Sequence, residues 1–264
     1  MAWIERRIGA ARVVFTDRHG GGSTPPFDTA NLGLAIGDDP ARVERNRDHL
    51  AATLHVAEPG SWAWLRQVHG AAVAVVGSSP TSPPPVADGA VTAAEGLPLA
   101  VLVADCAPVA LVSEGAVGVV HAGWRGLEAG VVQATVAALG QLASPVASPV
   151  DSHMDGHMDR GTAVRAVIGP CVRPDHYPFG PAELERLAAR FGPSVRARAR
   201  DGAPALDLAA AVRAALSAVG VTELDDTGVC TACSPDHFSH RRDGVTGRQA
   251  LVVVRESRRE PGRG

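Results

Sequence analysis

Two side chains with reactive chemistry, a thiol and an imidazole, follow short apolar runs in the middle of the chain. Cys106 follows the run 99–104 and His121 follows the run 117–120, and both runs are rich in Val or Leu. Runs of this length and composition are typical of buried strands. A thiol and an imidazole held together at a strand end can begin a metal site or a nucleophile–base pair. They can equally be a buried cysteine and a core histidine that are merely neighbours.

A hairpin would bring these two side chains together. The residues at 114–115, of which the second is glycine, separate the apolar run 109–112 from the next one. Glycine tolerates the positive φ that a two-residue hairpin loop requires. The loop predicts a register in which His121 faces Pro108, two residues from Cys106. Because proline donates no ladder hydrogen bond, the pairing should weaken there and leave room for side chains.

A further histidine, His69, ends the segment 61–70, which alternates as a strand does. A single histidine in such a place is more often structural than a ligand. Taken together, however, His69, Cys106 and His121 have the composition of a catalytic zinc site. In such a site three protein ligands leave the fourth position to water or substrate.

A second candidate metal site lies near the C-terminus, where cysteines and histidines follow one another as C-x2-C-x3-H-x2-H. Zinc modules usually separate their two ligand pairs by about a dozen residues. The tight spacing therefore favours a loop whose arginines face solvent or, alternatively, clamp a phosphate. The residues concerned are Cys230, Cys233, His237 and His240, with Arg241, Arg242 and Arg248.

Strand and helix patterns are mixed along the whole chain. This mixture predicts one α+β domain over residues 1–264, a layered sandwich with mixed β-sheets in the middle covered by helices. The polar, low-complexity stretch 143–162 predicts a mobile insertion loop, and the charged tail from about residue 256 is expected to fray. Helices are predicted from Pro40 to about Val56 and over 127–139, 181–192 and 206–221.

The composition places the chain among ordinary globular proteins. Of its 264 residues 45% are hydrophobic and 20% are charged, and the net charge is −3, so neither nucleic acid nor an anionic membrane is expected as a partner. No apolar run reaches transmembrane length, and the first residues lack the apolar core of a signal peptide. We therefore expect a cytoplasmic protein. The sequence contains no lysine, which excludes Schiff-base chemistry.

Seven segments, in chain order, resemble the laccase-domain family, also called the multicopper polyphenol oxidoreductase or YfiH family and, in some bacteria, the peptidoglycan editing factor family. The resemblance covers nearly the whole chain, with His240 standing where the family usually has tyrosine. It implies an α+β layered sandwich and one zinc ion bound by His69, Cys106 and His121. The segments are NLGLAIGDDP, WLRQVHG, ADGAVT, VLVADCAPVALV, VGVVHAGWRGL, IGPCV and FSHRRDGVTGRQA.

The resemblance also implies purine nucleoside chemistry. The expected reactions are phosphorolysis of adenosine, inosine, guanosine and methylthioadenosine with inorganic phosphate, and deamination of adenosine. The three metal ligands would be catalytic, and the protein would be a monomer or a weak homodimer. As hypotheses, Asn31 and Gln67 hydrogen-bond ribose or base, Asp105 carries a proton, and Arg125, with Arg241 or Arg242, holds the phosphate. Spacing alone favours a turn-capping role for Asn31, and an aspartate at a strand end, such as Asp105, is as often a turn cap.

Two alternatives remain open. One is a metal-free cysteine hydrolase with Cys106 as the nucleophile and His121 as the base. The other is a peptidoglycan-precursor editing factor in which nucleoside turnover is incidental. Copper oxidase chemistry is disfavoured, because multicopper oxidases need about ten histidine ligands arranged in H-x-H pairs. This chain has 10 histidines but no H-x-H pair.

Overall fold

The computed structural model describes residues 3–143 and 163–256. The predictions for the 143–162 loop and the C-terminal tail therefore fall almost entirely outside the described residues. No helix among the described residues is long and apolar enough to cross a membrane. The strands are β1 Trp3–Ile8, β2 Ala11–Thr16, β3 Val73–Val75, β4 Gly89–Thr92, β5 Leu99–Val103, β6 Ala107–Val112, β7 Val117–Ala122, β8 Arg165–Ile168, β9 Arg196–Arg198, β10 Pro204–Leu206, β11 Glu223–Asp226 and β12 Gln249–Arg255; the helices are α1 Pro40–Leu54, α2 Trp124–Ala129, α3 Val131–Ala143, α4 Pro181–Phe191, α5 Leu208–Ser217 and α6 His240–Asp243.

Two large sheets form the centre of the molecule. One has four strands in the order β1-β2-β12-β5, and the other has six in the order β11-β8-β6-β7-β4-β3. The six-stranded sheet is mixed, because β11 pairs with β8 and β3 with β4 in parallel while its other pairs are antiparallel. Apolar side chains of both sheets pack between them. Helix α1 packs against the outer face of the smaller sheet, α2, α3 and α5 pack against the larger one, and α4 packs on α5. This arrangement confirms the predicted α+β layered sandwich.

The predicted hairpin is confirmed. The Ser113 amide donates to the Ala116 carbonyl at 3.0 Å across the tight loop, and Pro108 pairs with His121 in the ladder between β6 and β7. The preceding strand, β5, belongs to the other sheet. The chain therefore crosses from one sheet to the other over residues 104–106, and Cys106 lies at the end of this crossing.

Two predicted elements differ from the structure. The segment 61–70 is irregular, with only isolated bridges to Leu99 and Val86, because the Gln67 side chain bonds the Leu102 backbone in place of a ladder partner. The helix predicted over 127–139 is two helices, α2 and α3. They are separated by Gly130, whose φ of 95° is left-handed and ends α2 as a helix cap.

A largely buried ion pair fastens the edge strand β11. Asp226, the last residue of β11, accepts hydrogen bonds from both terminal nitrogens of Arg173 at 3.0 and 2.5 Å and also contacts Arg213. Burial raises the pKa of the Asp226 carboxyl, but the bonds from Arg173 and from the Gly228 amide, with the two guanidinium charges, lower it overall. The ionised carboxylate therefore stabilises the folded state at neutral pH.

We predict that Asp226→Asn lowers the free energy of unfolding at pH 7 by about 1–3 kcal/mol. A carboxyl whose pKa is lowered by folding contributes fully above its unfolded-state pKa, near 4, and loses that contribution as the pH falls through the folded-state value. The difference from the unsubstituted protein should therefore shrink toward about pH 3. Urea denaturation over a series of pH values measures it, and a difference that stays constant from neutral to acidic pH would contradict the ion-pair account.

Candidate functional site

Three predicted ligands converge at the end of the β6–β7 hairpin. One ligand atom from each of His69, Cys106 and His121 lies within 4.8 Å of the others. The Cys106 Sγ atom is 3.7 Å from His69 Nε2, and the two imidazole rings meet edge to face with centroids 4.8 Å apart. His121 is buried, with 4% of its surface exposed, whereas His69 is exposed. The cluster therefore has a buried side and an open side.

One fully buried carboxylate, that of Asp88, organises both histidines. Its Oδ1 atom accepts hydrogen bonds from the His69 amide at 2.9 Å and lies 2.7 Å from His121 Nδ1. Its Oδ2 atom accepts from the amides of Val68 and Gly70 at 3.1 and 2.8 Å. His69 has a left-handed φ of 59°, which turns successive amides toward one anion. Because Asp88 engages Nδ1 of His121, the Nε2 nitrogen of that ring is left for the cluster.

The electrostatics of the cluster favour a thiolate beside a charged imidazole. Burial raises the pKa of the Cys106 thiol, but the neighbouring His121 and His69 rings outweigh it and lower the pKa overall. Burial lowers the pKa of His121, but Cys106 and Asp88 outweigh that effect and raise it. Burial also raises the pKa of Asp88, but its hydrogen bonds with His121 and with the amides of Gly70 and Val68 lower that pKa overall.

Gly123 makes the close approach of the ligands possible. A Cβ atom at this position would lie 2.8 Å from His69 Cδ2 and 3.0 Å from Cys106 Sγ. Both distances are too short for a side chain to coexist with the cluster in its present arrangement. The glycine that precedes α2 therefore leaves space for two of the three ligands.

The donor set suits a borderline-soft divalent metal. Two imidazole nitrogens and a sulfur disposed to ionise are typical zinc ligands, and a set of three protein ligands is typical of catalytic zinc sites. The bond from Asp88 to the far nitrogen of His121 matches the carboxylate–histidine arrangement that orients metal ligands. The cluster can therefore hold a metal ion. Among the residues that the structure describes, no other group of His, Cys, Asp and Glu does so.

The cluster opens into a cavity of about 1010 Å³, at the upper end of the usual size of ligand pockets. The aromatic side chains of Trp64, Trp124 and Tyr177 line it. Trp124 directly follows Gly123, which adjoins the cluster. Of the described residues that line the cavity, one is acidic, Asp105, and five are arginines. The arginines are Arg47, Arg66, Arg125, Arg241 and Arg248.

The Asp105 carboxylate is fully engaged by the loop before β12. Its Oδ1 atom accepts from the hydroxyls of Thr231 at 2.6 Å and Ser239 at 2.7 Å, and its Oδ2 accepts from the Arg241 amide at 2.6 Å. The residue has a left-handed φ of 106°, a conformation that aspartate adopts more readily than most residues. Asp105 therefore fastens this loop beside Cys106.

The two amides predicted to contact substrate are both bonded to protein. Asn31 is buried, and its side chain donates to the Gly33 carbonyl and Asp38 and accepts from the amides of Gly33 and Arg248. The Asn31 side chain therefore closes a turn with Gly33, as asparagine side chains commonly do. Gln67 lines the cavity, but its amide pairs with the amide and carbonyl of Leu102, at 2.8 Å each.

The three arginines predicted to hold phosphate fall into two groups. Arg125 and Arg241 line the cavity, and their guanidinium carbons lie 4.3 Å from the Trp124 ring and 4.6 Å from the Tyr177 ring. Arg242 does not line it. Its guanidinium donates to the carbonyls of Thr231, Ser234 and His237 and pairs with Asp243. Arg242 therefore braces the loop.

The cysteine–histidine run near the C-terminus forms a loop, as its spacing favours. His237 Nδ1 lies 3.1 Å from the Ser234 hydroxyl, and His240 Nδ1 lies 2.5 Å from the Gly244 carbonyl. Cys233 is exposed. Within residues 3–143 and 163–256, this run does not form a metal-binding group.

Three important residues were not singled out from the sequence, or not for this role. Asp88 stands in the ADGAVT segment, and its role follows only from the fold that brings it beneath both histidines. Arg47 lies on α1, far from the cluster in sequence, and no local pattern marks it. Arg248 was predicted to face solvent or to clamp phosphate within its loop, whereas it is half-buried and lines the cavity.

Comparison with known proteins gives consistent results. The family profile described as multi-copper polyphenol oxidoreductase laccase matches residues 12–256. A purine nucleoside phosphorylase of Streptomyces coelicolor is 42% identical over 250 residues, which are 93% of this chain and 96% of the relative. A Neisseria meningitidis structure superposes with a TM-score of 0.81 at 29% identity, over 97% of this chain and 99% of that one. YlmD from Geobacillus stearothermophilus gives 0.80 at 32% identity, over 94% and 93%.

These similarities extend over nearly the full length of each protein compared. The profile match over residues 12–256 includes all three residues of the histidine–cysteine cluster. The resemblance predicted from seven sequence segments is thereby confirmed. The chain belongs to the multi-copper polyphenol oxidoreductase laccase family, the laccase-domain family of its motifs.

Proposed function

We propose that the protein is a metal-dependent purine nucleoside phosphorylase and that its metal is zinc, held by His69, Cys106 and His121. Relatives that match over more than nine-tenths of the chain carry the name purine nucleoside phosphorylase. The structural observation that carries the proposal is the convergence of three metal-binding side chains at one end of an arginine-lined cavity. Adenosine, inosine, guanosine and methylthioadenosine are the proposed substrates, with inorganic phosphate.

In phosphorolysis a phosphate oxygen forms a bond to C1′ of the ribose while the bond from C1′ to the base nitrogen breaks. The electron pair of the broken bond leaves with the base. A bound zinc ion supplies Lewis-acid chemistry. The protein's own part is to bind and orient the two substrates and to exclude water, for which the aromatic walls formed by Trp124 and Tyr177 are suited.

Arg125 and Arg241 are the proposed phosphate ligands. Among the described residues, neither guanidinium has a carboxylate within salt-bridge distance; the two lie instead against the Trp124 and Tyr177 rings. Guanidinium groups bind phosphate through paired, charge-assisted hydrogen bonds. Each guanidinium lies over an aromatic ring, and Arg241 also hydrogen-bonds the Tyr177 side chain, which leaves the other N–H groups of the two arginines to bind a ligand. The pair can therefore grip phosphate beside the cluster.

Phosphorolysis is favoured over the deamination that the family resemblance also implies. Zinc deaminases use a free carboxylate, which is not itself a metal ligand, to move protons. Asp105 is the one acidic residue among those lining the cavity, and both of its oxygens accept hydrogen bonds from the protein. Multicopper chemistry is disfavoured as well, because only one metal-binding group is found among the described residues and such oxidases need several.

We predict that a chelator removes the metal and the activity together and that zinc restores both. Cys106→Ser should lose zinc and lower kcat/KM by more than the roughly 10–100-fold that loss of an outer-shell partner costs, because a direct ligand is removed. The measurements are metal content and release of adenine and ribose 1-phosphate from adenosine and phosphate. Circular dichroism checks that the variant is folded.

Each alternative function has its own signature in this assay. Activity that survives complete removal of metal but not Cys106→Ser would favour the cysteine hydrolase. Formation of inosine without phosphate would indicate deamination. No product from any purine nucleoside with the zinc-loaded protein would contradict the proposal and favour the peptidoglycan-precursor role.

We also predict that Arg125→Gln and Arg241→Gln each raise the KM for phosphate by about tenfold, since each removes a charge-assisted contact. The KM for adenosine should change by less than about twofold, because a KM effect confined to one substrate reports loss of that substrate's binding. Arg200→Gln is the matched control, since Arg200 is exposed and lies outside the cavity. Equal changes in both KM values would show that the arginines do not act on phosphate.

A further inference from the structure

Two arginines on the cavity wall are half-buried, and acidic side chains act on them only from beyond direct contact, Glu44 on Arg47 and Asp105 on Arg248. Among the described residues, neither Arg47 nor Arg248 has an acidic oxygen within salt-bridge distance. Burial lowers the pKa of Arg47 to about 10 and lowers that of Arg248 below its usual range. Desolvated charges in proteins are normally paired or bind a ligand. An unpaired pair facing one cavity therefore indicates an anionic ligand.

Both arginines are fixed by the same three residues, 31–33. Arg47 donates from Nε and Nη2 to the Leu32 carbonyl at 2.9 and 2.7 Å. The Arg248 amide donates to Asn31 Oδ1 at 2.9 Å, and its side chain fills the place where a Cβ atom of Gly33 would stand, 2.9 Å from Arg248 Cγ. We call this surface the Arg47–Arg248 wall. One segment therefore contacts both residues, and both line the same cavity.

The two side chains are held rigidly but keep donors free. The Arg47 guanidinium carbon lies 3.8 Å from the centre of the Trp64 ring, and Trp64 stacks on Trp62 at 5.4 Å. Arg248 donates from Nη1 to the carbonyls of Thr246 and Gly247. Within residues 3–143 and 163–256, no hydrogen bond of these two arginines uses Nη1 of Arg47 or Nη2 of Arg248. A planar, preorganised donor set of this kind suits a phosphate group.

The wall is separate from the arginines already proposed for inorganic phosphate. Arg125 and Arg241 come from α2 and α6 and rest on Trp124 and Tyr177. The wall comes from α1 and the residue before β12, and rests on Trp64 and Gly33. One phosphate ion cannot use all of these cations. A cavity of about 1010 Å³ with five arginines and one engaged aspartate is therefore built for a second anionic group.

We propose that the Arg47–Arg248 wall binds the 5′-phosphate of a purine nucleotide, so that nucleoside monophosphates are ligands of this cavity. The inference rests on the proposed function, because it takes the purine nucleoside as the part of the ligand nearer the cluster. The 5′ carbon lies outside the ribose ring and carries its substituent away from the bond that breaks. The ligand class is thus a purine nucleoside with one phosphate at that carbon.

The test measures binding, so it does not depend on turnover. Isothermal titration of the zinc-loaded full chain compares adenosine, adenosine 5′-monophosphate and inorganic phosphate. We expect the nucleotide to bind at least about tenfold more tightly than adenosine, because it adds charge-assisted contacts. Equal affinities for adenosine and its monophosphate in the unsubstituted protein would overturn the inference.

Variants locate the contact. Arg47→Gln and Arg248→Gln should each weaken nucleotide binding by about tenfold and adenosine binding by less than about twofold. Arg47→Lys keeps the positive charge but not the paired N–H donors of the guanidinium, so it should lose less nucleotide affinity than Arg47→Gln does. Arg45→Gln, on an exposed face of the same helix, is the matched control. If Arg47→Gln does not fold, Arg248→Gln alone decides.

Two results would contradict the inference while leaving the proposed function intact. One is an equal loss of adenosine and nucleotide affinity in the wall variants. The other is complete displacement of the nucleotide by inorganic phosphate, together with weaker binding of inorganic phosphate in both variants. That result would show that the wall binds the phosphate co-substrate. Failure of the proposed function has a different signature, since the same preparation would then release no adenine from adenosine and phosphate.

Discussion

The site depends on one buried carboxylate. Asp88 has no exposed surface, yet its carboxylate accepts hydrogen bonds from the amides of residues 68–70 and lies within hydrogen-bond distance of His121 Nδ1. These contacts repay the desolvation of the charge. They also fix the backbone of one ligand and the ring of another with a single group. His69 reaches the cluster from an irregular segment that no sheet ladder holds, and Asp88 ties the backbone of that segment to the His121 ring.

The remaining ligand is positioned by the way the two sheets are joined. Cys106 ends the crossing from β5 in one sheet to β6 in the other, and Asp105 beside it ties the crossing to the loop before β12. That loop carries Arg241, and the strand that follows begins next to Arg248. The same junction therefore supplies the sulfur, one proposed phosphate ligand and one side of the Arg47–Arg248 wall. An acidic protein thus presents a basic cavity.

The sequence predicts the local features well and the distant ones poorly. The register of His121 against Pro108 follows from a two-residue loop, and a helix is predicted to begin at Pro40; both are confirmed. The contact of Asn31 with Arg248 joins residues 217 positions apart, and the proximity of Arg47 to the cavity depends on how α1 packs against the smaller sheet. Local propensity carries no record of such contacts, because they arise only when the layers pack.

The role of Asp88 in holding the ligands is tested most directly by the zinc affinity of Asp88→Asn, measured by competition with a chelator of known affinity. The amide nitrogen of asparagine would face backbone donors and leave at least one of them unpaired, so the ligands should lose their fixed arrangement. We expect zinc binding to weaken by about 10–100-fold, whereas Asp226→Asn, which alters a carboxylate far from the ligands in sequence, should bind zinc as the unsubstituted protein does. A folded Asp88→Asn variant with unchanged zinc affinity would contradict the account.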